Sequence, residues 1–291
     1  MEYFKIVTDS TADLPESFLA EHHIGLMHLS YTFGEDNYGG TTGRELSSQE
    51  FYNRIRNGEM PVTSQVNPDQ ATEKLEEYLL ENHNILYLAF SSGLSGTYNS
   101  VVIAAQEMAE KYPESNIMVL DTLCASLGEG LLVYYAVKMQ QEGRSLEQTY
   151  EWLSSHRQNL VHIFTVDDLF HLYRGGRVSK TTAAIGVMIH IKPILHVDVE
   201  GHLVALSKTR GRKKSLHELV DYMEKHMGTY RDQNEMIMIS HSDCYEDAVC
   251  VRDEIEKRFG FHQFVINSIG QTIGSHTGIG TVALFFLGEG R

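Results

Sequence analysis

Four short polar runs carry the groups with which a protein grips an anion: "TDST" (8–11), "TSQ" (63–65), "SSGLSGT" (91–97) and "DT" (121–122). Each stands after an apolar, strand-like run or at the start of a helix-like one. Hydroxyls and backbone N–H groups at a helix N-terminus suit a carboxylate or a phosphate. The fullest case is "SSGLSGTYNS" (91–100), which follows "NILYLAF" and turns through Ser95 and Gly96 into a helix. Three further runs stand out. "YRGGRVSK" (173–180) sets Arg174 and Arg177 around two glycines, planar donors able to grip a phosphate or an acidic partner. "KTRGRKK" (208–214) packs five basic residues, Arg210 among them, into seven. "GSHTGIG" (274–280) places His276 between glycines, where a backbone can approach a ligand closely and the imidazole can donate a hydrogen bond.

Every one of these has a plainer use. Gly93, Ser95 and Gly96 also suit a tight strand-to-helix turn. Thr63 and Ser64 also suit a helix cap. Arg174 and Arg177 also suit a glycine-terminated helix with solvated basic residues. A lone histidine is more often structural than functional.

Known catalytic patterns narrow the field. A P-loop needs Lys after its last glycine, but Gly96 is followed by Thr97 and Tyr98. A G-x-S-x-G elbow needs glycine at 97, and "GLSGT" has it at 96. No G-x-G-x-x-G follows the first strand, so no nucleotide cofactor is expected. Fifteen histidines lie scattered without H-E-x-x-H spacing, so no metal site is expected. A net charge of −15 opposes a nucleic-acid binder that works by neutralising phosphates. Three cysteines (Cys124, Cys244, Cys250) without a C-x-x-C pair fit a reducing compartment. The first residues lack signal-peptide character, and no apolar run reaches the roughly 18 residues of a spanning helix. The expected location is the cytoplasm.

The elements that must position these groups alternate strand and helix in the first half. "YFKIVTDS", "GLMHLSYTF", "NILYLAF" and "NIMVLDT" read as strands. Between them lie helices opened by recognisable caps: Ser47 with Glu50 in capping-box spacing, and Asn67 before Pro68. That alternation predicts an α/β fold with a mainly parallel sheet flanked by helices over residues 1–160. Ligands of such sheets gather beyond the carboxyl ends of the strands, so several of the polar runs would share one rim. Residues 161–291 read as a second α/β domain. It includes a hairpin turning near Glu200–Gly201 and a strand-rich end, "FVINSIGQTIGSHTGIGTVALFFLG".

In order, "TDSTADLP", "TSQVNP", "SSGLSGTY", "RGGR", "IKPIL" and "GSHTGIG" resemble the DegV family of bacterial lipid-binding proteins over nearly the whole chain. One departure is Ile279, which stands where the family's G-x-H-x-G-P-G pattern usually has proline. The resemblance implies a long-chain fatty acid in a deep apolar tunnel near the domain junction. It carries carboxylate binding to Thr63, Ser95 and His276, and Ser64 and Gly96 stand beside them with a further hydroxyl and N–H. The apolar run 183–195, with Ile185, Met188, Ile189 and Ile194, is either plain core or the tunnel lining. The resemblance carries partner recognition to Arg174 and Arg210, with Arg177 next to them. It also implies a non-catalytic role: a carrier subunit of a fatty acid kinase that presents the carboxylate to a separate ATP-binding subunit. The acyl-phosphate formed there would feed phospholipid synthesis, with transient contact at a membrane surface.

Elementary energetics agree with a carrier. A buried carboxylate needs donors, which the runs at 63–64 and 95–97 supply. About 14 methylenes at ~0.8 kcal/mol each give on the order of 11 kcal/mol before ordering costs. The principal alternative is an autonomous hydrolase or phosphotransferase using Ser95 with His276 and either Asp9 or Asp121 as activating groups. A third possibility is a lipid sensor or chaperone that never meets a kinase.

Overall fold

The computed structural model describes residues 4–81, 84–167, 169–179 and 191–291. Four strands pair wholly in parallel, in the spatial order Gly25–Met27, Lys5–Asp9, Asn84–Ala89, Asn116–Asp121. All six residues of Asn84–Ala89 are buried, which is why that strand reads as a continuous apolar run rather than an alternating one. Val7, Ile85 and Tyr87 face the helices Pro68–Glu81 and Thr97–Lys111. Ile6, Leu86 and Leu88 face the opposite way, toward the helix Leu127–Gln141.

The predicted caps are present. Ser47 and Glu50 exchange the two bonds of a capping box. Asn67 and Gln70 do the same at 2.9 and 3.0 Å, opening the helix at Pro68.

The second sheet runs Leu203–Arg210, Ile191–Val197, Leu160–Thr165, Val282–Leu287, Ile237–His241, Phe264–Ser268, antiparallel except for its last pair. Its strands come from residues 160–287, and those of the parallel sheet from 5–121. One face is covered by the helices Arg212–His226 and Tyr245–Phe259. The other meets the helix Leu127–Gln141, which touches both sheets and is apolar nearly all round because it is sandwiched between them.

A third, small layer was not anticipated. "GLMHLSYTF" is not one strand: it divides at His28–Leu29, where the Leu29 N–H bonds the Ser10 side chain at 3.0 Å. Its second half, Ser30–Phe33, joins Asp36–Gly39 and Val62–Ser64 in a three-stranded antiparallel sheet. Tyr31, Phe33 and Tyr38 pack there against Phe51 and Tyr52 of the helix Ser48–Arg56. The strand-rich end is also corrected, because a helix, Gln271–Thr277, lies between its two strands and carries His276. Ile279 packs against the aromatic cluster. Among the described residues, no helix is long and apolar enough to cross a membrane.

The Tyr52 hydroxyl donates to the Ile269 carbonyl at 2.7 Å, tying the small layer to the segment that enters the His276 helix. Tyr52→Phe leaves that carbonyl without its short bond and should lower stability by about 1–2 kcal/mol, measured by urea unfolding.

Candidate functional site

The predicted rim exists, and two aspartates knit it. Asp9, at the end of the first strand, accepts from the Thr11 N–H at 3.0 Å and the Phe90 N–H at 2.9 Å. Asp121 accepts from the Ser92 and Leu123 N–H groups, each at 3.1 Å. Neither carboxyl is bonded to Ser95, whose side chain pairs with Thr97 instead. The hairpin turn of the second sheet lies on this rim. Ser91 Oγ donates to the Gly201 carbonyl at 2.9 Å, and a side-chain carbon on Gly93 would meet the Glu200 carbonyl at 2.8 Å. Glycine at 93 is required by that close approach.

Beside the turn lies a cavity of about 360 Å³, at the small end of the range for ligand sites. Its wall joins the turn, the strand Val62–Ser64, the helix Gln271–Thr277 and the inner face of the second sheet. Thr63, Ser64, Ser95, Gly96 and His276 all line it, so five sequence candidates separated by over 200 residues converge. Much of the remaining wall is apolar, with Phe90, Phe164, Val197, Ile273 and Phe285. Gln65 was passed over in the sequence in favour of its hydroxyl neighbours. It lies so close to Gly96 that a side-chain carbon there would sit 2.1 Å from its Oε1. His162 was also missed. It is a buried ring in the alternation of "VHIFTV", and nothing in that pattern distinguishes it from core.

His276 Nε2 lies 2.8 Å from Thr63 Oγ1. Its Nδ1 is buried without a polar partner and abuts Gly175, where an added side-chain carbon would come within 2.1 Å. Neither ring nitrogen bonds Ser95, whose Oγ instead pairs with Thr97 Oγ1 at 3.0 Å. The Ser–His contact required by the hydrolase alternative is not made. Burial pushes the imidazole down to about 4, and Arg177 and then Arg174 push the same way. The ring is neutral at physiological pH. With its proton on Nε2, His276 would donate to Thr63 and leave the Thr63 hydroxyl free to donate to a ligand.

The arginines sit differently from the expectation that all three dock a partner. Arg177 lines the cavity, with its Nε donating to the Leu94 carbonyl at 3.2 Å. Its half-burial lowers its pKa, and among the described residues no carboxylate is bonded to it. Arg174 Nη2 donates to the carbonyls of Pro61 at 2.9 Å and Ser275 at 3.3 Å, so it fastens the Thr63 strand to the His276 helix. Arg210 is exposed, outside the cavity wall. Of the expected tunnel residues, Ile185, Met188 and Ile189 lie outside the described residues. Ile194 faces the wrong way: it packs with Val161, Ile163 and Leu219 under the outer helices, while Val197 on the same strand lines the cavity. Strand alternation separates the two. Among the described residues, no group of three His, Cys, Asp or Glu could hold a metal ion.

The model of the family described as uncharacterised DegV proteins matches residues 3–289. The chain belongs to the DegV family. A DegV domain-containing protein of Clostridium perfringens is 47% identical over 99% of each chain. A DegV family protein of Thermus thermophilus, described for its fatty acid binding, superposes with a TM-score of 0.86 at 29% identity, covering 98% of this chain and 99% of its own. DegV of Bacillus subtilis, described as a fatty acid binding protein, gives 0.84 at 26% identity over 99% and 100%.

Gly175→Ala in this DegV chain should push the His276 ring off Thr63, with little change elsewhere in the fold. Loss of the His276–Thr63 contact in a crystal structure of the variant would show it. The native ring binds its proton more weakly than an unfolded histidine. Acidification from about pH 6.5 toward 4 should therefore favour unfolding, and a ring titration midpoint near 4 by NMR checks the cause.

Proposed function

We infer that the chain binds a long-chain fatty acid, its carboxylate between Thr63, Ser95 and Arg177 and its tail along the apolar wall. One observation carries this. Hydroxyls, a glycine and an arginine with no carboxylate partner among the described residues line a cavity much of whose remaining wall is Phe, Leu, Ile and Val. A charge in such a place needs donors, and a long apolar tail needs a dry wall. The fatty acid binding described for the Thermus and Bacillus relatives supports the assignment.

The chain forms or breaks no bond by itself. Its carboxylate end opens toward a partner, a separate ATP-dependent kinase subunit that phosphorylates the presented acid. The family resemblance and the missing nucleotide motifs support that role. Arg210, exposed and outside the cavity, is the cleaner docking probe, because Arg174 also holds the site together.

Mass spectrometry of a denatured organic extract should find a stoichiometric fatty acid. Its absence, repeated after incubation with several free fatty acids, would overturn the assignment. Arg177→Met should weaken binding of a fluorescent fatty acid by about 10- to 100-fold, as expected for losing a charge-assisted bond worth roughly 1.5–3 kcal/mol. Arg210→Ala should leave that affinity intact while acyl-phosphate formation with added kinase subunit and ATP falls.

A further inference from the structure

Asp13 is a buried carboxyl that neither the fold's core nor the carboxylate site accounts for. It follows the first strand of the parallel sheet in a left-handed conformation, φ 51°. Its Oδ1 accepts the Gly270 N–H at 2.9 Å, and its Oδ2 shares a 2.5 Å hydrogen bond with Ser126 Oγ, which also reaches Ser240 Oγ at 3.0 Å, so that a neutral Asp13 can donate to Ser126. Its carbonyl accepts the Asn267 side chain at 2.8 Å. Gly270 is the N-cap of the helix that carries Thr272, Ile273 and His276 into the cavity, and Ser126 is itself part of the cavity wall. One side chain therefore clasps three walls of the ligand site: the parallel sheet, the start of the sandwiched helix and the His276 helix.

Among the described residues, no cation stabilises it. The charged and titratable groups that face it are Asp9 on its own strand, Glu129 on the sandwiched helix and Tyr52 on the small layer. Asp9 and Glu129 take their bonds from Thr8, Thr11 and Phe90, all within the parallel-sheet half, so separating the walls does not hydrate them. Asp13 differs, because one of its two partners, Gly270, sits on the His276 helix that would move away, while Ser126 stays with Glu129 on the sandwiched helix.

We propose that Asp13 is a proton-sensitive clasp on the ligand cavity: neutral, it keeps the walls closed, and ionised, it favours the opening through which a fatty acid exchanges. This rests on the fatty-acid reading of the cavity. The direction follows from linkage. Burial raises the closed-state value to about 7, whereas an opened, hydrated Asp13 would ionise near the ordinary carboxyl value of 3.8. The closed form thus binds the proton more tightly, and acidification through neutrality closes it. His276 pulls the other way below about pH 6.5, since opening would let it protonate. The clasp is read above that.

The test is stopped-flow release of a bound fluorescent fatty acid from the full chain between pH 6.5 and 8, for the native protein and Asp13→Asn. The ligand carboxyl titrates in both, so the difference between the two profiles is the readout. The native rate should fall about fourfold from pH 8 to pH 6.5 relative to the variant, which stays at the slow limit. Parallel profiles would overturn the clasp while leaving fatty-acid binding intact. A protein that takes up no fatty acid would instead sink the cavity assignment itself. Should Asp13→Asn fail to fold, Ser126→Ala serves: losing the donor that lowers the Asp13 value should move the midpoint above 7, and an unmoved midpoint counts against the clasp.

Discussion

A carboxylate leaves water only for a place where donors already wait. Stripping its hydration costs several kcal/mol even after a protein relaxes around it, so an acyl-binding cavity is organised around its polar end. The parallel sheet delivers Ser95 and Gly96 at the carboxyl ends of its strands. The small antiparallel layer brings Thr63 alongside, and the second sheet holds the helix that presents His276. Asp9 and Asp121 hold the turn rigid by accepting its N–H groups rather than by taking part in chemistry. Glycines at 93, 96 and 175 stand where the hairpin tip, Gln65 and the imidazole leave no room for a side chain.

Electrostatics divides the interior into two unlike halves. Around the cavity's polar end stand Arg174, Arg177 and a histidine kept neutral by burial and by those arginines. At the start of the sandwiched helix stand Asp9, Asp13 and Glu129, buried together with raised values and, among the described residues, without a basic partner. The first half is poised to take a negative ligand. Burial in the second favours the neutral carboxyl, and of its three members Asp13 is the one whose surroundings change as the walls around the ligand move.

Much of this was legible in the chain. Alternating apolar runs and caps at Ser47 and Asn67 showed the parallel sheet and its helices, because local hydrogen bonding and burial on both faces leave strong local patterns. The residues of the polar end were legible as hydroxyls and glycines at strand ends. The small layer was not, since its strands are short and one continues "GLMHLSYTF" without a break in hydropathy; the break comes from a side-chain bond made by Ser10, 19 residues away. Ile194 was misplaced because a run apolar at every position hides which face each residue takes. Arg174 and Arg177 read alike as surface cations, and only the fold shows that one is a tether and the other a cavity wall.

The most direct measurement is carbon-13 NMR of a carboxyl-labelled fatty acid bound to the protein. A carboxylate held by Thr63, Ser95 and Arg177 should give one narrow resonance at the ionised position that does not move between pH 5 and 8, and that shifts in Thr63→Val. A resonance that titrates like that of a solvent-exposed acid, or one indifferent to Thr63, would mean that the carboxyl lies elsewhere and that the convergence of these residues serves another ligand.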